Sequence, residues 1–366
     1  MIIHMAKNAA PAEVKIVLKR ITGKGFKYEV IHGTTGVNVI GVLGDLSNIE
    51  ESYFAELDGV EKVVRISKPY KLVSREFAQK GEVLAKKTHA IRVGKALIGG
   101  PDLVIMAGPC SVESEEQLMS VARYVSELHI PILRGGAYKP RTSPYSFQGM
   151  GLEGLDLLAR ARKKYGLRII TEATGLHRHV AENGVPEERT VLENVIHMAD
   201  IVQVGARNMR SYGFLQELAT LTRDSKIPIM LKRGDSSTLT EFLLAAEYIV
   251  ANGNPNVMMC LRGIRTFEET KFQRSTPDIG AIAVLKNETN LPVIFDPSHA
   301  TGYRDSVEAV AAAAVAAGAD GLLIETHNDP ANAKCDGEQS VTRAQLARIK
   351  REAEKIRSVV YTHGQH

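Results

Sequence analysis

The chain has 366 residues, 44% hydrophobic and 24% charged, with 46 Lys and Arg against 42 Asp and Glu for a formal net charge of +4. That balance belongs to a folded globular chain and excludes wholesale disorder and collagen-like structure. The small positive excess comes with no Lys/Arg block, zinc-finger spacing or aromatic–basic RNA motif, so nucleic acid is not an expected partner. No apolar run approaches the roughly 20 residues that a membrane helix needs, and MIIHMAKNAAPAEVK lacks the basic flank and apolar core of an export signal. Three cysteines cannot make a disulfide framework, and a cytoplasmic protein is expected.

Residues 1–66 read as strand, helix, strand, strand, helix, strand. A short strand at Ile2–Met5 precedes a helix over 12–22, which follows Pro11 and stops at Gly23 and Gly25. Phe26–Ile31 and Val37–Leu43 form a hairpin across HGTTG, a second helix covers 48–57, and Val60–Ile66 closes the unit. The order βαββαβ is that of a ferredoxin-like domain, and fold analogy makes it a candidate small-molecule regulatory domain. Residues 67–100, with a short hairpin around HAIRVGKALIGG, are expected to be a linker and barrel-bottom cover.

From residue 101 to 366, short apolar strands alternate with amphipathic helices. The strands are Leu103–Ala107, Ile132–Arg134, Arg168–Glu172, Ile201–Val204, Ile229–Lys232, Val257–Leu261, Val293–Phe295 and Gly321–Glu325. The last helix, 342–360, carries Leu346, Ile349, Ala353, Ile356 and Val360 at helical spacing. Eight such units predict an α/β fold, a (β/α)8 TIM barrel that follows the ferredoxin-like domain.

Reactive side chains of such barrels sit at the C-terminal ends of the strands. Here those ends carry Arg134, Lys139, Arg141, Arg207, Lys232, Arg233, Arg262 and Arg265. Cations gathered at one mouth repel one another unless anions neutralise them, which points to a small, multiply anionic substrate. Cys110, His299 and Glu325 follow strands 1, 7 and 8, and Asp336 lies in the loop after strand 8. Thiolate, imidazole and carboxylates together suit one divalent ion such as Mn2+, Fe2+, Co2+ or Zn2+. Each also has a plain structural reading: a lone Cys is more often core, and Asp336 beside Gly337 makes a turn. His327 competes weakly as a ligand, and Cys260, Met258 and Met259 read as core.

The block PILRGGAYKPRTSPYSFQGMG, with AGPCSVE, GARN, LKRG, RGIRTFE and DPSH, closely resembles the 3-deoxy-D-arabino-heptulosonate 7-phosphate (DAHP) synthases, in the class with a ferredoxin-like N-terminal extension. The resemblance implies a transferase that condenses phosphoenolpyruvate with erythrose 4-phosphate and releases phosphate, the entry step of the shikimate pathway to aromatic amino acids. It implies Cys110, His299, Glu325 and Asp336 as metal ligands. Arg134, Lys139, Arg207, Lys232 and Arg262, with a backbone N–H near Ala206, would clamp phosphoenolpyruvate. Arg141 and Thr142 would take the sugar phosphate. Lys139, His299 and Asp336 are the candidate acid–base groups. A tyrosine or phenylalanine effector at the N-terminal domain and a dimer or tetramer are further expectations.

Three features depart from the family. Leu261 stands where relatives often carry glutamate, Asp235 and Ser236 follow LKRG, and the segment 174–198 is long, with its own PEERT stretch. The rival readings are 3-deoxy-octulosonate 8-phosphate synthase, which lacks the KPRT pattern, a silent regulatory barrel, and a Schiff-base aldolase built on Lys232. Cys335 beside Asp336 adds the expectation of an oxidative link to Cys110.

Overall fold

The computed structural model describes residues 1–33, 36–46, 48–65, 68–75, 88–140, 143, 145–180, 187–267 and 271–363. The chain forms two units, Met1–Thr88 with Asn287–Asn290, and His89–Lys286 with Leu291–His366.

The first unit holds β1 (Ile2–Met5), a helix Pro11–Gly23, β2 (Lys27–Gly33), β3 (Gly36–Leu43), a helix Ser52–Ala55 and β4 (Val60–Val64). The sheet order is β2-β3-β1-β4, antiparallel throughout, as βαββαβ connectivity requires. Val17 and Ile21 of the first helix and Phe54 of the second pack with Ile3, Met5, Ile40, Val42 and Val63 in one core. The second helix is a single turn and not the expected span 48–57. Arg65 explains the shortening. Its guanidinium donates to the carbonyl of Leu46 (3.1 Å) and to that of Ile49, which a helix starting at 48 would need for the Tyr53 N–H; that N–H goes to Glu50 at 3.2 Å instead. Ile66, expected to end β4, and the tip of the HGTTG hairpin at 34–35 lie outside the described residues.

The second unit opens with a hairpin, β5 (Ile91–Val93) and β6 (Ala96–Ile98). Six barrel strands follow: β7 (Val104–Gly108), β8 (Ile132–Arg134), β9 (Arg168–Ala173), β10 (Ile201–Val204), β11 (Ile229–Lys232) and β12 (Val257–Leu261). A small pair, β13 (Gly263–Ile264) and β14 (Thr276–Pro277), interrupts before β15 (Val293–Phe295) and β16 (Gly321–Glu325). All eight barrel strands are parallel, and β16 pairs with β7 to close the ring. Seven of them are buried along their whole length, as expected for strands covered on both faces; β9 exposes Arg168 at its start and half-buries Glu172 near its end.

Two chemically different ends result. At the N-terminal end, Ile91, Val93 and Ile98 of the hairpin join Val104, Ile132, Ile201, Met230, Met258, Cys260 and Ile294 in one apolar cluster. Cys260 and Met258 are therefore core, and the hairpin plugs the barrel from below. At the C-terminal end the strands deliver polar residues. Gly108 ends β7 because a Cβ there would overlap the Arg134 carbonyl of β8, so only glycine lets the two strands meet at that height. No helix among the described residues is long and apolar enough to cross a membrane.

Buried charge also fastens the lower rim. Asp320, 1% exposed, accepts from Lys286 Nζ at 2.8 Å through both oxygens and from the Val293 N–H at 2.8 Å. Arg357 of the helix Arg343–His363 lies 3.7 Å from it and donates to the carbonyls of Gly100, Pro101 and Ala319. Removing a buried carboxylate strands its cations, so Asp320→Ala is expected to cost about 3 kcal/mol. Denaturant unfolding should show a lower midpoint at unchanged slope, with Asp320→Asn losing less.

Candidate active site

The upper end of the barrel opens into a cavity of about 710 Å³. Arg134, Lys139, Arg207, Lys232, Arg262 and Arg265 from the strand-end motifs line it, as do Ala206, His299 and Asp336. Cys110 and Glu325 sit immediately beside it, buried to 1% exposure. Arg141 and Thr142 lie outside the described residues. Arg233, counted among the mouth cations, turns away: its guanidinium binds Asp278 at 2.6 Å and the Ser237 carbonyl at 2.8 and 2.9 Å.

The four expected metal-binding residues converge. His299, Glu325 and Asp336 offer ligand atoms that all lie within 4.8 Å of one another, and so do Cys110, Cys335 and Asp336. Asp336 is common to both groups. His299 Nε2 is 3.4 Å from Glu325 Oε1, and Cys110 Sγ is 3.1 Å from Asp336 Oδ2. Asp336 reaches this position from a left-handed backbone (φ 51°), a conformation that Asp tolerates better than most side chains. His327 is not part of the set; its Nε2 faces Glu113 at 3.5 Å and its Nδ1 accepts from the Asp329 N–H.

Charge at the mouth is compensated residue by residue. Glu325 is paired with Arg134 and accepts from Gln339, and Asp296 is paired with Lys232. Asp296 also accepts from His299 Nδ1 at 2.7 Å and from the His299 backbone N–H at 2.9 Å, which caps the short helix Pro297–Thr301. Burial pushes the Asp296 carboxyl up, but the two His299 N–H donors and the Lys232 ammonium outweigh it and hold the group well below the usual carboxylate range. Burial draws the His299 imidazole down and keeps it neutral. With Nδ1–H given to Asp296, the Nε2 lone pair faces Glu325 and Asp336, the arrangement a metal-binding histidine needs.

Lys139 Nζ donates to the Cys110 carbonyl (3.1 Å) and thiol (3.2 Å). Burial disfavours its charge, yet Cys110 and Glu172 beside it raise its pKa above the ordinary lysine value, so it stays protonated. The hydrogen bond to Cys335 (3.0 Å) and burial push the Cys110 thiol up, and the same bond draws Cys335 down.

Five residues of the site escaped the sequence reading: Glu172, Gln203, Asp296, Arg274 and Gln339. Glu172, one residue before the end of β9, accepts from Gln203 at 3.2 Å; the strand-end rule applied to the third strand finds it. Asp296 lies inside the DPSH motif and was passed over for its neighbour. Arg274, which binds Asp336 (3.3 Å) and Gln339 (2.6 Å), comes from a long loop with no local signal. Leu261 is fully buried in β12, so the cavity wall carries Glu172 and no carboxylate at 261.

The DAHP synthetase I family model matches residues 79–362, and that of the DAHP synthase ferredoxin-like domain matches residues 1–68. Over 356 residues the chain is 41% identical to the phospho-2-dehydro-3-deoxyheptonate aldolase of Thermotoga maritima, covering 97% of each chain. A crystal structure of the DAHP synthase from that organism, at 39% identity, matches with a TM-score of 0.71 over 98% of each chain. A 2-dehydro-3-deoxyphosphooctonate aldolase of Legionella pneumophila is 30% identical over 65% of this chain and 85% of the relative.

The two facing thiols generate a direct expectation. Peroxide should join Cys110 to Cys335, the two thiol hydrogens leaving in water. Thiol titration under denaturing conditions should then fall from three groups to one in the wild type and stay at two in Cys335→Ser. If Cys335→Ser loses activity to peroxide as fast as the wild type, the pair does not control oxidation.

Proposed function

The chain belongs to the DAHP synthetase I family, and on that premise we propose that it joins phosphoenolpyruvate to erythrose 4-phosphate with the help of one divalent metal ion, giving DAHP and phosphate at the entry to the shikimate pathway. The observation that carries this reading is a cavity lined by seven arginines and lysines, with His299 and Asp336 in its wall and Cys110 and Glu325 buried beside it.

The donor set fits a divalent ion. Metal–ligand bonds of about 2.0–2.3 Å place neighbouring donors about 3–4 Å apart, and the 3.1 and 3.4 Å separations here match that spacing. Cys110, His299, Glu325 and Asp336 would hold the ion. Mn2+, Fe2+, Co2+ and Zn2+ all accept such ligands. When bound, the ion supplies Lewis-acid polarisation of the aldehyde oxygen.

The remaining work falls to the chain. Arg134, Lys139, Arg207, Lys232 and Arg262, with the Ala206 N–H, bind the phosphate and carboxylate of phosphoenolpyruvate, which neutralise the crowded cations. Arg141 and Thr142 take the phosphate of the aldose. C3 of phosphoenolpyruvate then attacks the aldehyde carbon, and Lys139 gives a proton to the forming hydroxyl. Its raised pKa does not prevent this, because the alkoxide is the stronger base. Water adds at C2, with Asp336 taking its proton, and the hemiketal phosphate loses phosphate by C–O cleavage; His299, with Nδ1–H held by Asp296 and Nε2 toward the ion, has no lone pair left for that role. Asp296 keeps His299 in one tautomer and Lys232 charged throughout.

Phosphate release should require erythrose 4-phosphate, stop with EDTA and return with Mn2+. Turnover with arabinose 5-phosphate alone would favour the octulosonate reaction, as seen in the name of the Legionella relative. The ferredoxin-like unit supports regulation by tyrosine or phenylalanine in a homo-oligomer. Deleting residues 1–66 should leave turnover and abolish inhibition by the effector; inhibition that survives the deletion would place the effector site elsewhere.

A further inference from the structure

We propose that Glu187 is a positioning residue for the condensation: it pins both stems of the loop that carries Lys139 into the cavity. The proposal rests on the reaction assigned above and concerns the long segment after β9, whose PEERT stretch the reaction leaves without a role.

Glu187 is the second residue of that PEERT stretch and the first of its two glutamates, and its side chain is only 6% exposed. One carboxylate oxygen accepts from the Tyr138 hydroxyl at 2.8 Å and from Asn194 Nδ2 at 2.6 Å. The other lies 3.4 Å from the Leu152 N–H and 3.2 Å from His179 Nδ1. The His179 ring also meets the Tyr138 ring edge-on at 5.3 Å. Tyr138 directly precedes Lys139, and Leu152 lies in the first turn of the helix Gly151–Tyr165. Glu187 therefore holds the chain just before and just after residues 139–150.

The stems themselves are paired. Tyr138 bridges Gly149, the Lys139 N–H donates to the Gln148 carbonyl at 2.9 Å, and the Gly151 N–H donates to Ala137 at 3.0 Å. Gly151 has φ +57°, and a Cβ there would lie 3.0 Å from both Glu187 Oε1 and His179 Nδ1, so the glycine makes room for the carboxylate. Between the stems, Lys139, Pro140, Ser143 and Ser146 face the cavity. Asn194 is carried on the helix Val191–Met198, whose start is fixed by a Thr190–Glu193 capping box.

Stability alone does not call for this arrangement. A buried carboxylate is costly to desolvate, and an apolar side chain of similar volume would pack the stem at least as well. What the carboxylate adds is direction, because its oxygens accept from two separate elements of the barrel unit in addition to Tyr138. Small displacements of a substrate-holding loop are amplified in rate, since misplacement by about 1 Å can cost 10²-fold.

The test uses the full chain loaded with Mn2+ and three variants, Glu187→Ala, Glu187→Gln and Tyr138→Phe. Glu187→Ala should raise KM about tenfold for erythrose 4-phosphate and also for phosphoenolpyruvate, which Lys139 helps to bind, with Mn2+ stoichiometry little changed. Glu187→Gln keeps acceptors for Tyr138 and Asn194 and should recover most of the loss. Tyr138→Phe removes one donor and should lose about threefold. Should Glu187→Ala fail to fold, the volume-conserving Tyr138→Phe carries the KM test, with Glu187→Gln as its near-native control. Unchanged KM values, or losses in kcat and both KM values that simply track Tm, would overturn the proposal. Amide hydrogen exchange at Lys139, Gly151 and Leu152 gives a reading independent of substrate, so a wild type inactive with erythrose 4-phosphate would sink the reaction without deciding the positioning role. Faster exchange in Glu187→Ala supports that role and unchanged exchange removes it.

Discussion

Two buried ion pairs, Lys232–Asp296 and Arg134–Glu325, joined through the neutral His299 imidazole, cross the barrel mouth, and the site depends on them; they are supplied by the ends of four strands and the turns after them. All but His299 are almost wholly buried. None could remain ionised alone at that depth, because the cost of desolvation exceeds what a single hydrogen bond returns. Closure of the ring brings each ion to its counterion, so the geometry of the barrel and the ionisation of the site are one requirement. Arg134 shows the effect: burial works against its charge, yet Glu325 beside it raises its pKa above the ordinary arginine value.

The same constraint divides the barrel along its axis. The lower half is filled by Met, Ile, Val and Cys side chains and sealed by the 91–98 hairpin, where polar groups would find no partners. The upper half is polar because loops there can be wet and can vary without disturbing the core. Cations in excess of the buried pairs, including Lys139 and Arg207, face the cavity. In the proposed reaction, anionic substrates complete this compensation.

Loops then fix what the strands deliver. Asp336 sits on a strained turn and is bound by Arg274 and by the Cys110 thiol, so the loop after β16 is tied to the rim from two directions. The loop after β8 is held at its stems by Tyr138 and Gly151 against Glu187. These contacts span long sequence separations, and each joins groups that are costly to bury unpaired.

Much of this was legible in the chain. Alternation of apolar strands with amphipathic helices gave all eight barrel strands almost to the residue, because parallel strands buried on both faces leave short, uninterrupted apolar runs. The strand-end rule placed Arg134, Lys232 and Glu325 at one mouth, since a parallel barrel points every C-terminal strand end the same way. Local pattern misjudged the second N-terminal helix, because the Arg65 guanidinium takes the Ile49 carbonyl from 16 residues away. It also missed Arg274, Gln339 and Glu187, which act through partners distant in sequence. Composition and periodicity determine which elements form and which way they point. Which buried charges meet, and which loop side chains hold them, is decided only when the ring closes, because pairing and desolvation are properties of neighbours in space.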